Sequence, residues 1–181
     1  MKKTLIVCPL PLELGALKLA LSRYECNESQ VGPVKIWHYP ELGFYLAVAG
    51  HGKTQFGIQT QFLIDQLKDL DAVICVGSAG SLSKEVKAFD VVVATKTIEH
   101  DFRLKFIKKP DPLFLGSESL LKKFKPGKKG EFQLHLGAIA SGDEDILDAD
   151  RAQELATQTG ALAVAWEGAG LSLIHIWRCR R

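Results

Sequence analysis

Thr4 to Cys8 is a short apolar run that stops at Pro9, the mark of a first strand buried on both faces. The segment PLPLELGALKLALSR that follows repeats leucine at 14, 17 and 21, which predicts a helix with one apolar face. Val34 to His38 and Phe44 to Ala49 read as two further strands. The turn GHGK then opens a helix through Leu67, with Phe56, Ile58, Phe62, Leu63 and Leu67 as its apolar positions. DAVICVGSAGSL predicts a fully buried strand delivering a glycine-rich loop, and DVVVATKTI another strand of branched residues. LHLGAIASGDEDI restores the strand pattern, Asp148 to Thr159 reads as helix, and Ala161 to Trp166 is a last strand. Strands without polar faces that alternate with helices predict an α/β domain with a covered sheet.

Between Arg103 and Lys129 the periodicity lapses into Lys, Pro and Gly around one short helix near Ser117 to Phe124. Its lysines at 105, 108, 109, 122, 123, 125, 128 and 129 carry few aromatic neighbours, so they read as a solvated loop rather than a nucleic-acid face.

Composition narrows the picture. At 181 residues, 46% hydrophobic and 24% charged, the chain has the length for one sizeable core and needs no disulfide or metal staple. The four cysteines, Cys8, Cys26, Cys75 and Cys179, form no C-x-x-C pair and point to a reduced, cytoplasmic setting. No apolar stretch approaches a membrane span, and the opening MKKTLIVCPLP breaks at Pro9, too soon for a signal peptide. Net charge is +2, and without Arg178, Arg180 and Arg181 it is −1, so nothing argues for a nucleic-acid partner.

Charged residues at the ends of apolar strands are the candidate chemistry. They are Glu13, Asp143 in ASGDEDI, and Glu167 after ALAVAW. Two glycine loops accompany them. Gly50-His51-Gly52 lies at a strand-to-helix junction, where backbone N–H groups can hold an anion or a water. Gly52-Lys53-Thr54 imitates the end of a phosphate-binding loop, but that pattern requires glycine where Ala47 stands. Gly77-Ser78-Ala79-Gly80 ends a buried strand, where open α/β sheets bind ligands. The five histidines lack metal-ligand spacing, so neither a metal nor another cofactor is expected, and no G-x-S-x-G elbow supports a serine triad.

In order, Glu13, GHGK, VGSAGSL with FDVVVAT and EHDF, SGDEDI and AVAWEGAG resemble the nucleoside phosphorylase and nucleosidase superfamily, above all its methylthioadenosine/S-adenosylhomocysteine nucleosidase branch. The resemblance runs from Thr4 to Gly170. It implies a three-layer αβα fold around a central mixed sheet, and hydrolysis of a purine N-ribosidic bond through an oxocarbenium-like transition state. In that pattern Glu13 activates water, and Glu167 hydrogen-bonds the ribose hydroxyls. Ser78, Ala79 and Gly80 line base and sugar, Ile146 offers its backbone to the purine edge, and Trp166 replaces the usual methionine beside the sugar. Asp145 stands where an adenine-stacking aromatic is usual. The resemblance also implies a homodimer whose neighbouring subunit helps close the site.

The phosphorylase branch carries an arginine for which Cys75-Val76 and the first loop offer no counterpart, which favours hydrolysis over phosphorolysis. Futalosine and other purine nucleosides share the framework, and a noncatalytic nucleoside-binding or partner-binding module is the competing reading. The family's general acid, an aspartate on a later strand and helix, has no counterpart here, so the chain as it stands is expected to be an inactive fragment lacking that C-terminal strand and helix. LSLIHIWRCRR, residues 171–181, can be encoded by a sequencing-library adapter if TGA is read as tryptophan. It is therefore expected to be a non-native tail, leaving 1–170 as the domain.

Overall fold

A computed structural model of the chain describes residues 3–107 and 109–178, with the backbone alone for 175–178; Met1, Lys2, Lys108, Cys179, Arg180 and Arg181 lie outside the described residues. The strands are β1 (Lys3–Cys8), β2 (Asn27–Val31), β3 (Val34–Tyr39), β4 (Phe44–Val48), β5 (Leu70–Cys75), β6 (Gly80–Ser81), β7 (Val91–Glu99), β8 (Leu113–Leu115), β9 (Gly127–Lys129), β10 (Phe132–Ser141) and β11 (Ala163–Ala165). The helices are α1 (Pro11–Ala20), α2 (Lys53–Gln66), α3 (Glu118–Leu121), α4 (Ala149–Thr159) and α5 (Gly168–Arg178).

Hydrogen bonding divides the strands into two mixed sheets. One runs β2-β3-β4-β1-β5 and the other β6-β11-β10-β7-β8, with β9 on β10. The first has a parallel run β4-β1-β5, with β5 at one edge and antiparallel β3 and β2 at the other; the second has a parallel centre β11-β10-β7 with antiparallel β6 and β8 at its margins.

The two-residue period of β1 explains how helices cover both faces. Leu5 and Val7 pack with Ala47, Phe56, Leu63 and Ile64 under α2, and Cys8 packs on the other side with Leu14 of α1, Tyr39 and Leu46. A third cluster joins Ile98, Ala138, Ala140 and Val164 of the second sheet to Leu155 of α4.

Three expectations change. β5, read as fully buried, is the edge strand of its sheet and is exposed or half-buried throughout. On α2 the buried face is Phe56, Thr60, Leu63 and Ile64, whereas Ile58 is 66% exposed. Steps of four and three residues from Phe56 return to one face, and a step of two lands on the opposite side. β2 was invisible in the pattern because NESQV is a polar margin strand with no buried residue.

α5 crosses the junction between Gly170 and Leu171, and Ile174 joins the core cluster of Phe56 and Leu63. A side chain at Gly170 would run into the Lys53 carbonyl, so glycine is what lets α5 lie against the start of α2. No helix among the described residues is long and apolar enough to cross a membrane. The lysines at 105, 109, 122, 123, 125, 128 and 129 are all exposed, as a solvated segment requires.

Candidate active site

The candidate residues gather at the carboxyl ends of the parallel strands, the edge where α/β sheets leave a crevice. β4 delivers Gly50-His51-Gly52, β1 delivers Glu13, and β5 delivers Gly77 to Gly80. From the second sheet, β7 ends at Glu99, β10 at Ser141 and β11 just before Trp166 and Glu167.

Glu13 sits in the first turn of α1, and its Oε2 accepts from the Leu10 N–H at 3.0 Å as a helix cap. Its Oε1 accepts from both the backbone N–H of Ser78, at 2.7 Å, and the Ser78 hydroxyl, at 2.5 Å. The close pass of the β5 loop is possible because Gly77 has no side chain; a Cβ there would lie 3.0 Å from Oε1. Ser78, Ala79 and Gly80 are exposed, and Gly80 pairs with Val164 beside β11. Beneath the carboxylates lie two thiols. Burial, then the charge of Glu13, pushes Cys8 up to about 12, and burial, then Glu167, also raises Cys75. Neither thiol is a ready nucleophile.

Glu167 is 5% exposed. Its Oε1 accepts from the Gly52 N–H at 3.0 Å and lies 3.3 Å from His51 Nδ1. Gly52 is the N-cap of α2 with φ +81°, and it has no side chain to cap the helix itself. Carboxylates from distant segments take over: Glu167 on the Gly52 N–H, and Asp143 Oδ1 on the Lys53 N–H at 2.8 Å. The His51 ring stacks on Trp166, with centroids 4.1 Å apart. Both line a cavity of about 550 Å³ with Gln55, Ile58 and Asp143. Ser141, wholly buried, donates to the Trp166 carbonyl at 2.6 Å and accepts from the Ala169 N–H at 2.9 Å, fixing the turn that carries Glu167. Ile146 is half-buried against the second-sheet core beside Leu82, and Asp145 is exposed.

A group of residues escaped the sequence reading. The Lys53 ammonium bridges Glu99 at 2.7 Å and Asp101 at 2.5 Å, and Asp101 Oδ2 accepts from the Asp143 N–H at 2.9 Å. Burial alone would lower the Lys53 pKa, but Asp101 and Glu99 outweigh it and raise the value above that of an ordinary lysine. The signal was present: two acids, Glu99 and Asp101, close a long branched apolar run, and the lysine follows the second glycine of GHGK. Among the described residues no group of three or more His, Cys, Asp and Glu could hold a metal ion.

Residues 3–173 match the family model described as the phosphorylase superfamily. A 5'-methylthioadenosine/S-adenosylhomocysteine nucleosidase of Thermotoga maritima is 32% identical over 123 residues, 68% of this chain and 54% of its own length. An aminodeoxyfutalosine nucleosidase of Helicobacter pylori is 30% identical over 148 residues, 77% of this chain and 63% of its own length. The chain thus aligns with little more than half to under two thirds of these relatives. In three dimensions it resembles the Helicobacter pylori 5'-methylthioadenosine/S-adenosylhomocysteine nucleosidase solved with butyl-thio-DADMe-Immucillin-A, at TM-score 0.78 and 24% identity, over 99% of this chain and 81% of that one. With the fold, the strand-end carboxylates and the matched span in agreement, the chain belongs to the phosphorylase superfamily.

Proposed function

We propose that this protein belongs to a purine nucleosidase, hydrolysing the N-ribosidic bond of a nucleoside such as methylthioadenosine or S-adenosylhomocysteine. One observation carries the reading: two carboxylates, Glu13 and Glu167, follow the ends of parallel strands and both act on the Cys75 thiol, each held by a backbone N–H of a different glycine loop. Glu13 is the water-activating base, its carboxylate oriented by Ser78 and Leu10. Glu167 takes the ribose hydroxyls, which join the Gly52 N–H as its donors. Ser78, Ala79 and Gly80 line the base and sugar, the Ile146 backbone meets the purine edge beside Asp145, and Trp166 flanks the sugar. Gly50, His51 and Gly52 form the loop on the far side of the ribose carboxylate. Aminodeoxyfutalosine is a second candidate substrate, supported by the Helicobacter pylori relative.

Two copies pair in this reading. Phe102 at 51%, Phe106 at 100% and Ile107 at 54% exposure follow directly on β7 and form an apolar run that a second copy would cover. The free thiols Cys8, Cys26 and Cys75 fit a reducing cytoplasm.

The test is release of free adenine from methylthioadenosine by the protein, with and without phosphate. Base release without phosphate is expected. Strict dependence on phosphate would move the chain to the phosphorylases, and tight binding without turnover would make it a binding module.

A further inference from the structure

We propose that Lys53 is a positioning residue for Glu167: it clamps the strand ends of the second sheet to the first turn of α2 and so sets where the ribose-binding carboxylate stands. The inference rests on the reading of Glu167 as the group that holds the ribose hydroxyls.

Among the described residues Glu167 accepts one hydrogen bond, from the Gly52 N–H at 3.0 Å, and has His51 Nδ1 3.3 Å away; both groups belong to the loop that enters α2. Gly52 holds φ +81° and ψ 156°, a conformation open almost only to glycine. A glycine hinge does not hold a carboxylate in place unless the next residue is anchored. Lys53 is that anchor. Its N–H is taken by Asp143 from the end of β10, and its ammonium by Glu99 and Asp101 from the end of β7. Asp101 closes the ring by accepting from the Asp143 N–H. Two strand ends of the second sheet thus converge on the first residue of α2, immediately beside the amide that binds Glu167.

The chemistry of the ring points the same way. The Lys53 side chain is 16% exposed, and those of Glu99 and Asp101 are 8% and 25%. Taking such charges out of water costs much of what their attraction returns, so they add little stability over an apolar filling. What they add is direction: an ammonium with two carboxylate partners fixes a backbone to within hydrogen-bonding tolerance. His100, between Glu99 and Asp101, is fully buried without a hydrogen-bonding partner, so it supplies no competing anchor.

The experiment is calorimetric binding of adenosine, 2'-deoxyadenosine and 3'-deoxyadenosine to the full chain and its variants. Wild type should prefer adenosine over one or both deoxy analogues by roughly tenfold or more, the size of a hydrogen bond to a charged group. Lys53→Met should bring the analogues to within about twofold of adenosine while their own affinity changes little, and Lys53→Arg should retain most of the preference. Undiminished preference in Lys53→Met overturns the proposal. If that variant fails to fold by circular dichroism, the exposed Asp143→Ala decides: a reduced preference supports the clamp and an unchanged one refutes it. Wild type that binds without ribose preference removes the Glu167 reading itself, and the clamp with it, a result recognisable before any variant is made.

Discussion

The backbone N–H of Gly52 donates to Oε1 of Glu167 at 3.0 Å, across 115 positions of sequence and between the two sheets. The same bond gives α2 a cap that its own N-terminal residue cannot supply. Helix capping and the placement of a ligand-binding carboxylate are one interaction here, so weakening one weakens the other.

Gly52→Ala tests that coupling. A side chain at φ +81° costs about 1–3 kcal/mol in backbone strain, and its Cβ would sit 3.3 Å from Asp143 Oδ1. The expected outcome is a lower melting temperature together with weaker nucleoside binding. A variant that loses stability but binds as before would separate the two roles.

Glu13→Gln keeps the shape and can still accept from the Ser78 N–H, but it cannot take a proton from water. Turnover should fall roughly 10²–10⁴-fold while nucleoside binding stays close to that of the parent. Equal losses in binding and turnover would instead mark Glu13 as a structural cap of α1.

His100 sets a pH dependence of folding. It is fully buried, and Glu144 Oε2 is 3.6 Å from its Nδ1, beyond hydrogen-bonding range. Burial pushes its pKa below the ordinary value of 6.5; Asp101 and Glu144 pull upward, while Arg151 and Lys53 push down. The folded state therefore favours the neutral ring, and below the ordinary value the unfolded chain binds the proton first. This contribution is complete above that value and declines as pH falls. Melting temperature should drop between about pH 7 and pH 5, and His100→Gln should flatten the decline. An unchanged slope in the variant would assign it elsewhere. Asp90, held at about 2 by the Lys87 and Gln133 N–H groups and then His135, loses its contribution only in a much more acidic range.

Gly170→Ala probes the contact between α5 and α2. Because its Cβ meets the Lys53 carbonyl, a rigid backbone group, α5 must shift outward. Overpacking of this kind costs roughly 1–3 kcal/mol, readable as a lower denaturation midpoint. No loss of stability would mean that α5 is not docked there.

How far the sequence carried this account follows from the range over which each feature is encoded. β1, β7 and β10 were legible because a parallel strand reads as a largely apolar run, and the two glycine loops because glycine marks the exits of β4 and β5. Glu13 and Glu167 stood out as carboxylates at such exits. The Lys53 clamp was not assembled from sequence, because Lys53, Glu99, Asp101 and Asp143 lie on three segments that only the fold unites; GHGK and EHDF stood as separate motifs. Ile58 was assigned to the wrong face since an apolar residue on the exposed side of a helix looks, in composition, like one in the core. α5 runs on past Gly170, which leaves the reading of 171–181 as a non-native tail untouched. That reading concerns the origin of these residues, and sequencing the source DNA beyond Gly170 tests it, with a native open reading frame as the contradicting result.

The central claim, that a nucleoside occupies the crevice with its ribose on Glu167, is tested most directly by titrating adenosine into the chain and into Glu167→Gln by calorimetry. The account predicts saturable binding to the wild type, weakened about tenfold or more in the variant. Equal affinity in the two proteins would contradict it.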